Sequence, residues 1–431
     1  MEGGIWVYNG DGAGYVWGRN DEGGLGINLS PNSESRSSPV QLPGSWKEMS
    51  VTGDNNYGTK TDGSLWAWGN NDYGELGLGN KTKYSSPMQI GTDTTWRRVT
   101  NGPTGAIATK TDGTLWAWGS NQDGELGQNT TQHFSSPVQI GTETTWRRIS
   151  SYPSGGIATK TDGSLWMWGK NNDGCLGQNQ GEPSVGKYSS PIQIPGTWSD
   201  NFEAGGAAIS AVKTDGSLWF WGRNAEGVFG LNSPSPPNMR RSSPVQLPGT
   251  WSTTKGQGSM TSETAIYLKD NGTMWVWGKN YRGTAGPGGP NSRSSPVQIT
   301  SGTTWSQVFI GLQQALAVKT TGELYAWGSN GNGMLAYGPG GDNNQHPSPI
   351  QIGTDTDWSK VGGAFGGNVT KSALKQDGTL WAWGEDPYGQ LGMGTILPAP
   401  SGGYSSPKQI PGTNWAQAIK GEYTNGAAHL L

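Results

Sequence analysis

Residues 61–77 read TDGSLWAWGNNDYGELG, and this stretch decides the fold because its pattern recurs along the whole chain. Asp-Gly is a strong signal for a tight hairpin turn, since glycine adopts positive φ without steric cost. In LWAWG, residues two positions apart project to the same face of a strand. The stretch therefore predicts two short antiparallel strands joined at Asp62 and Gly63, with Trp66 and Trp68 as a paired aromatic rib.

Three markers recur eight times in a fixed order over the 431 residues. Trp-Gly occurs at Trp17, Trp68, Trp118, Trp168, Trp221, Trp277, Trp327 and Trp383. Ser-Pro follows each of them, with its proline at Pro39, Pro87, Pro137, Pro191, Pro244, Pro296, Pro349 and Pro407. A lone tryptophan then stands at Trp46, Trp96, Trp146, Trp198, Trp251, Trp305, Trp358 and Trp415. The markers predict repeats over approximately 5–53, 54–103, 104–153, 154–205, 206–260, 261–311, 312–366 and 367–431.

Each repeat predicts four short strands: the two of the hairpin, one at SSPVQI and one that begins at the lone tryptophan. Short strands in a unit of about 50 residues are typical of propeller blades, so we predict one all-β propeller domain over 1–431. Eight blades are favoured. Seven blades plus an accessory segment are the alternative if the first unit is only partly built. The hairpin at 6–17 or the end at 426–431 could close the ring by pairing with the other end. A structural role in the blades is assigned to Trp68, Trp118, Trp168, Trp221, Trp277, Trp327 and Trp383.

Composition excludes several function classes. Charged residues are 14% of the chain and the net charge is −3, so there is no basic surplus for non-specific nucleic-acid binding. The sequence has no apolar run of about 18 residues, so we expect no membrane insertion. The first residues lack the pattern of a Sec-type signal peptide. One cysteine, Cys175, and three scattered histidines offer no metal or nucleophile constellation. We therefore expect no cofactor, no metal, no catalytic residues and no enzymatic activity.

Two features mark candidate partner-binding residues. The pairs Arg97/Arg98 and Arg147/Arg148 occupy equal positions in adjacent repeats and predict a small basic stripe. Insertions in repeat proteins map to loops that often share one binding face. The insertions lie at 27–36, 178–188, 231–241, 337–347 and 393–404, with two more at 252–263 and 359–372. From these loops the candidate residues are Tyr188, Arg240, Arg241, Tyr337 and Tyr404.

The order A-L-x-x-D-G-x-[LV]-[WY]-x-W-G-x-N-x-x-G-x-L-G resembles the repeat of the RCC1 (regulator of chromosome condensation) superfamily, from about residue 5 to 431. The variety TDGSLWAWGxNxxGxLG…SSPVQIPGTxW is most similar to bacterial and bacteriophage members. The resemblance implies a propeller, usually of seven blades. The eukaryotic prototype is a nucleotide exchange factor, but the basic tail and blade insertion expected of it are missing here. Bacterial relatives that inhibit β-lactamase bind a protein on one face of the disc.

These observations favour a non-catalytic binding or structural module whose loops contact a protein or a surface glycan. The best specific hypothesis is a virion or surface-exposed component, such as a tail, fibre or capsid-decorating protein, as a homo- or hetero-oligomer within a larger particle. A soluble cytoplasmic regulator of a GTPase, or of an enzyme to be inhibited, is the alternative. A glycan lyase or hydrolase is the third hypothesis, and it requires clustered carboxylates or histidines at the disc axis.

Overall fold

The chain folds into a ring of short β-sheets. The computed structural model describes residues 4–8, 12–29, 33–51, 55–102, 105–152, 155–179, 186–232, 239–254, 257–287, 291–299, 304–311, 313–337, 345–364, 370–397, 402–416 and 420–421. Within these ranges the strands form seven sheets. No helix among them is both long and apolar enough to span a membrane.

The first sheet has six strands, and the next three sheets have four each. The first contains β1 (Gly4–Tyr8), β2 (Ala13–Asn20), β3 (Ser33–Val51), β4 (Asn55–Lys60), β5 (Leu65–Gly69) and β6 (Tyr84–Gln89). The second contains β7 (Trp96–Gly102), β8 (Gly105–Lys110), β9 (Leu115–Gly119) and β10 (Phe134–Gln139). The third contains β11 (Trp146–Tyr152), β12 (Gly155–Lys160), β13 (Leu165–Lys170) and β14 (Lys187–Ile194). The fourth contains β15 (Trp198–Gly205), β16 (Ala208–Lys213), β17 (Leu218–Asn224) and β18 (Met239–Leu247).

The last three sheets continue the pattern. The fifth contains β19 (Gly258–Met260), β20 (Thr264–Leu268), β21 (Met274–Gly278) and β22 (Arg293–Gln298). The sixth contains β23 (Trp305–Ile310), β24 (Gln314–Lys319), β25 (Leu324–Ser329) and β26 (Gln345–Gln351). The seventh contains β27 (Trp358–Ala364), β28 (Thr370–Lys375), β29 (Leu380–Glu385), β30 (Gly403–Gln409) and β31 (Lys420–Gly421). Short 3-10 turns follow β2, β13, β17 and β25, at Asp21–Gly23, Asn172–Gly174, Ala225–Gly227 and Gly331–Gly333.

The expectation of eight blades is not supported, and seven sheets agree with the alternative count. The reason is β3, which runs through 19 residues without a break. Its first part pairs with β2, and its last part, from Trp46 to Val51, pairs with β4. Repeats 1 and 2 therefore share one hydrogen-bonded sheet.

Most sheets are also out of phase with the sequence repeat. At Trp96, Trp146, Trp198, Trp305 and Trp358, the strand predicted as the fourth of a repeat is the first strand of the following sheet. Thus Trp96 pairs with Lys110 of the next hairpin and not with the preceding Ser-Pro strand. The first strands of successive sheets lie side by side and form the inner wall of the ring. This overlap of sequence units across sheets ties each repeat to the next.

The Trp-Gly tryptophans fill the spaces between neighbouring repeats. All eight have no exposed surface. In seven of the eight, the indole N–H donates to a backbone carbonyl of the preceding repeat, as in the 2.9 Å bond from Trp68 Nε1 to Gly24 O. The exception is Trp118, because the Tyr57 hydroxyl donates to Glu75 O, the carbonyl at the corresponding position. Burial raises the pKa of Tyr57, so this hydroxyl stays a donor.

The ring closes by the same contacts between repeats 8 and 1, at a junction we call the seam. Trp17 Nε1 donates to Gln390 O at 2.9 Å, and Gly394 N donates to Ser37 O at 2.6 Å. Gly389 packs so closely on Ser37 that a β-carbon there would lie 2.5 Å from Ser37 Cα. The equivalent glycine of every other repeat makes the same approach to the next repeat, at 2.7–2.9 Å. Residues 426–431, one of the predicted closing segments, lie outside the described residues.

Candidate partner-binding surface

Strand direction defines two faces of the ring. In each antiparallel sheet the first and third strands start at the same end. That end, the lower face, holds the T-D-G turns and the crossovers to the next sheet. The opposite end, the upper face, holds the turns between first and second strands and the N-x-x-G loops after the third strands.

The repeated aspartates of the lower face serve the turns. Asp62 Oδ1 accepts from the backbone N–H of Ser64 at 2.9 Å and from its hydroxyl at 2.6 Å. Ser64 Oγ in turn accepts from Trp66 Nε1 at 2.8 Å. These hydrogen bonds lower the pKa of Asp62. The same series of hydrogen bonds recurs at Asp112, Asp162, Asp215, Asn271 and Asp377. Among the described residues no group of three or more potential metal-ligating side chains occurs.

A lysine before each turn makes a contact that the sequence analysis did not predict. Lys60 Nζ lies 3.6 Å from the Trp66 ring centroid and 5.1 Å from that of Trp46. A cation above the face of an indole is attracted by the ring quadrupole. The arrangement recurs at Lys110, Lys160, Lys213, Lys269, Lys319 and Lys375. The K-T-D-G pattern contained this signal, because the lysine and both aromatic residues repeat together.

Replacing Lys110 with methionine is expected to lower the free energy of unfolding by about 1–2 kcal/mol at pH 7. The change keeps an apolar stem but removes a charge 3.9 Å from the Trp116 ring and 2.5 Å from Asp93 Oδ2. Against the effect of burial, hydrogen bonds from Lys110 and Thr95 lower the pKa of Asp93 to about 2. Stability from ionised Asp93 is present above about pH 4 and is lost towards pH 2, so the difference should shrink there.

Urea unfolding at pH 7 and pH 2.5 measures this difference. Lys83→Met is the matched control, because Lys83 lies near Glu22 and Asp72 at 3.0 and 3.3 Å but contacts no aromatic ring face among the described residues. An exposed ion pair is worth less than about 1 kcal/mol, so this variant should change little. Equal losses in the two variants would contradict a role for the aromatic contact.

The predicted basic stripe is split by the structure. Arg147 forms a two-point ion pair with Asp200, at 2.6 and 3.2 Å. Arg148 is only 2% exposed, and its guanidinium carbon lies 4.0 Å from the centroid of the Phe202 ring. Burial lowers the pKa of Arg148, although Glu203 and Asp200 oppose the shift. Arg97, Arg98 and the ion-paired Arg147 remain partly exposed.

The candidate loop residues occupy the upper face, far from the arginine pairs near the lower ends of the inner strands. Tyr188, Arg241 and Tyr404 stand at equal positions in the outer strands, each opposite the glycine of a Trp-Gly pair. Arg240 forms a 2.5 Å ion pair with Asp173 of the preceding repeat. Tyr337 is 50% exposed. The structure therefore distributes these residues around the ring and does not gather them into one patch.

Two exposed aromatic residues of the upper face were missed by the sequence analysis. Tyr73 is 44% exposed and Tyr281 is 57% exposed, and both follow the asparagine of an N-x-x-G loop. Tyr73 contacts His133 of the next repeat, with ring centroids 5.8 Å apart. The Arg282 guanidinium lies 4.7 Å from the Tyr281 ring. The sequence signal for these tyrosines was a change of residue type between repeats inside the N-x-x-G loop, whose length is constant. All the insertions contain residues outside the described ranges. Among the described residues, Tyr73, Tyr281 and Tyr337 are the aromatic side chains of that face with large exposed surface.

Seven sheets, a closed seam and repeats that bury equivalent tryptophans define a β-propeller assembled from internal repeats. The model of the regulator of chromosome condensation (RCC1) repeat matches residues 62–108, 112–151, 162–203 and 377–423. These matches show that the chain contains RCC1 repeats. It is 28% identical over 233 residues to the human E3 ubiquitin-protein ligase HERC2, covering 53% of this chain and 4% of that protein.

A second relative is the ultraviolet-B receptor UVR8 of Arabidopsis thaliana, 26% identical over 195 residues, which are 43% of this chain and 41% of the receptor. The chain therefore spans less than half the length of these relatives. Among solved structures, Prp20p of Saccharomyces cerevisiae aligns with a TM-score of 0.60 and 16% identity, over 86% of this chain and 92% of that one. Human WBSCR16 aligns with a TM-score of 0.59 and 18% identity, over 80% and 95%. At such identity these likenesses concern the fold.

Proposed function

We propose that this RCC1-repeat protein is a non-catalytic binding module that presents its upper face to a protein or surface glycan. The observation that carries the proposal is the contrast between constant and variable positions. Tryptophans, glycines and lysines repeat in the same contacts and hold the ring. The positions that differ between repeats include Tyr73, Tyr281 and Tyr337 on the upper face. Exposed tyrosines on a rigid support are typical of binding surfaces.

We further propose that the module belongs to a virion or another exposed surface, as a tail, fibre or capsid-decorating component. Low charge and abundant Gly, Ser, Thr and Asn support this, as does the resemblance to bacteriophage-type members. Sedimentation of native material, with mass spectrometry to locate the chain, is the test. The chain should travel with particles. Recovery as a soluble monomer would overturn the proposal and favour the alternative, a cytoplasmic regulator of a GTPase or an enzyme; Prp20p, for comparison, binds Gsp1p and histones.

The binding face has its own test. Combined Tyr73→Ala, Tyr281→Ala and Tyr337→Ala substitutions should weaken binding to the captured partner or particle at least 30-fold, since buried aromatic contacts carry about 2 kcal/mol or more at interfaces. Surface plasmon resonance measures the change. Met88→Ala, at an exposed outer-strand position, is the control and should leave affinity unchanged. Unchanged affinity in the triple variant would contradict the assignment of the upper face.

A further inference from the structure

One asparagine recurs in every repeat except the last, two residues after the Trp-Gly glycine. Its Oδ1 accepts from the backbone N–H five residues later, as in the 2.9 Å bond from Leu76 N to Asn71. The corresponding side chains are Asn20, Asn121, Asn171, Asn224, Asn280 and Asn330, at 2.8–3.1 Å. In repeat 8 the position is occupied by Asp386, which accepts from Leu391 N at 2.8 Å.

The amide nitrogen of this asparagine has a second task that a carboxylate lacks. Asn71 Nδ2 donates to Asn80 O at 3.1 Å and to Thr82 O at 2.9 Å. Asn121 Nδ2 makes the same two bonds, to Thr130 O at 2.8 Å and Gln132 O at 2.9 Å. The amide thus holds the loop that follows the N-x-x-G segment.

Asp386 has the acceptor of this arrangement but no amide donor. It is fully buried, and among the described residues its Oδ2 has no hydrogen-bond partner. The positions nine and eleven residues later, which supply carbonyl acceptors in repeats 2 and 3, are Thr395 and Leu397. An ionised carboxylate offers carbonyl oxygens only another acceptor, whereas a carboxylic acid offers an O–H donor. A buried charge without a partner is costly, and such groups take up a proton instead.

We propose that Asp386 is a protonated carboxylic acid that replaces the amide donor of the other repeats, and that its ionisation loosens the seam of the ring. The loop it holds contains the residues that close the ring. Arg19 of repeat 1 lies 4.9 Å from the Tyr388 ring, and Gly389, Gln390 and Gly394 contact repeat 1 through Ser37 and Trp17. The seam is therefore the one junction between repeats that depends on a titrating group at this position.

Electrostatics agree with the geometry. Burial raises the pKa of Asp386 to about 7, and the hydrogen bond from Leu391 N opposes the shift. The other charged or titratable side chains on this loop and on the strands around it include Glu385, Tyr388, Tyr404, Lys408, Tyr15, Arg19, Arg36, Lys47 and Glu48. None of them is a cause of the shift, so desolvation decides it. The neighbouring Glu385 is itself an acid whose pKa is raised by burial, so it offers no positive charge that could stabilise an ionised Asp386.

The direction of the pH effect follows from linkage. Asp386 is neutral in the closed seam below about pH 7, but a released loop would titrate near pH 4. The open state therefore binds fewer protons than the closed state between these values. The equilibrium constant for opening should rise up to about tenfold per pH unit from pH 4 to 7 and level off above pH 7. Full seam stability is present below pH 4 and is lost as the pH rises through 7.

Hydrogen exchange of seam amides in the full chain tests the proposal. The amides of Leu391 and Gly394 would be followed in wild type and Asp386→Asn, at each pH from 4 to 8, with EDTA present. Both proteins are compared at the same pH, so the intrinsic exchange rate cancels. The opening constants should agree at pH 4, and wild type should open at least tenfold more at pH 8. A protonated-carboxyl infrared band at pH 5.5 should be missing from Asp386→Asn.

Asn71→Asp is the matched control inside the ring. It should gain the same pH dependence at the Gly79 amide, which donates to Ser135 O at 2.7 Å, without affecting Gly394. A constant ratio of opening constants from pH 4 to 8 would overturn the proposal. The proposal would also be overturned if adding Ca²⁺ or K⁺ restored the protection of the seam amides in the wild-type protein at pH 8, because Asp386 would then be an ionised cation ligand.

Discussion

Trp17→Ala is expected to open the seam and to lower the free energy of unfolding by about 3–5 kcal/mol. The indole is fully buried, its ring lies 6.3 Å from that of Trp415, and its N–H donates to Gln390 O. No covalent link joins repeat 8 to repeat 1. The lost packing energy therefore weakens the one junction at which the ring can open without breaking the chain. Denaturant unfolding measures the total loss, and exchange of the Gly394 amide measures seam opening.

Two variants separate packing from closure. Trp168→Ala removes an equally buried indole with an equivalent 2.8 Å bond, to Glu125 O, inside the ring. It should cost a similar free energy while Gly394 stays protected until global unfolding. Trp17→Phe keeps most of the apolar surface but loses the donor, so a loss of about 1–3 kcal/mol is expected. If Gly394 were equally protected in Trp17→Ala and Trp168→Ala, closure would not depend on this tryptophan.

Gly63→Ala is expected to cost about 3 kcal/mol, from two additive causes. Gly63 has φ +82°, where a β-carbon is strained by about 1 kcal/mol. A β-carbon there would also collide with the backbone carbonyl of Thr94 in the crossover. Overpacking against backbone costs about 1–3 kcal/mol more. Thermal and urea unfolding give the loss.

Gly163→Ala isolates the second cause. Gly163 has nearly the same φ, +80°, but its nearest neighbour would be the methyl Cγ2 of Thr197 at 2.8 Å, which can rotate away. This variant should lose only about 1 kcal/mol. Equal losses at the two positions would show that backbone conformation alone accounts for the glycine, and that the crossover does not press on the turn.

Most of the architecture could be predicted because its causes are local. The spacing of Trp66 and Trp68, the Asp62-Gly63 turn and the recurrence of both specify a hairpin in each repeat, and a ring is how such units bury their aromatic faces. The candidate surface could be predicted less well. Arg147 and Arg148 are neighbours with the same chemistry in sequence, yet one is ion-paired near the surface and the other is buried against Phe202.

The sequence by itself determined the repeat, the strand composition and the burial of the Trp-Gly tryptophans, because these follow from periodicities of two and of about 50 residues. Only the tertiary structure decided which sheet the strand at a lone tryptophan joins, and that repeats 1 and 2 share one sheet through β3. It placed the lysines above paired aromatic rings. It also decided that Asp386, one substitution among eight equivalent positions, lies buried at the seam. These outcomes depend on which segments meet across the ring, and long-range contact sets the solvation and partners of each group.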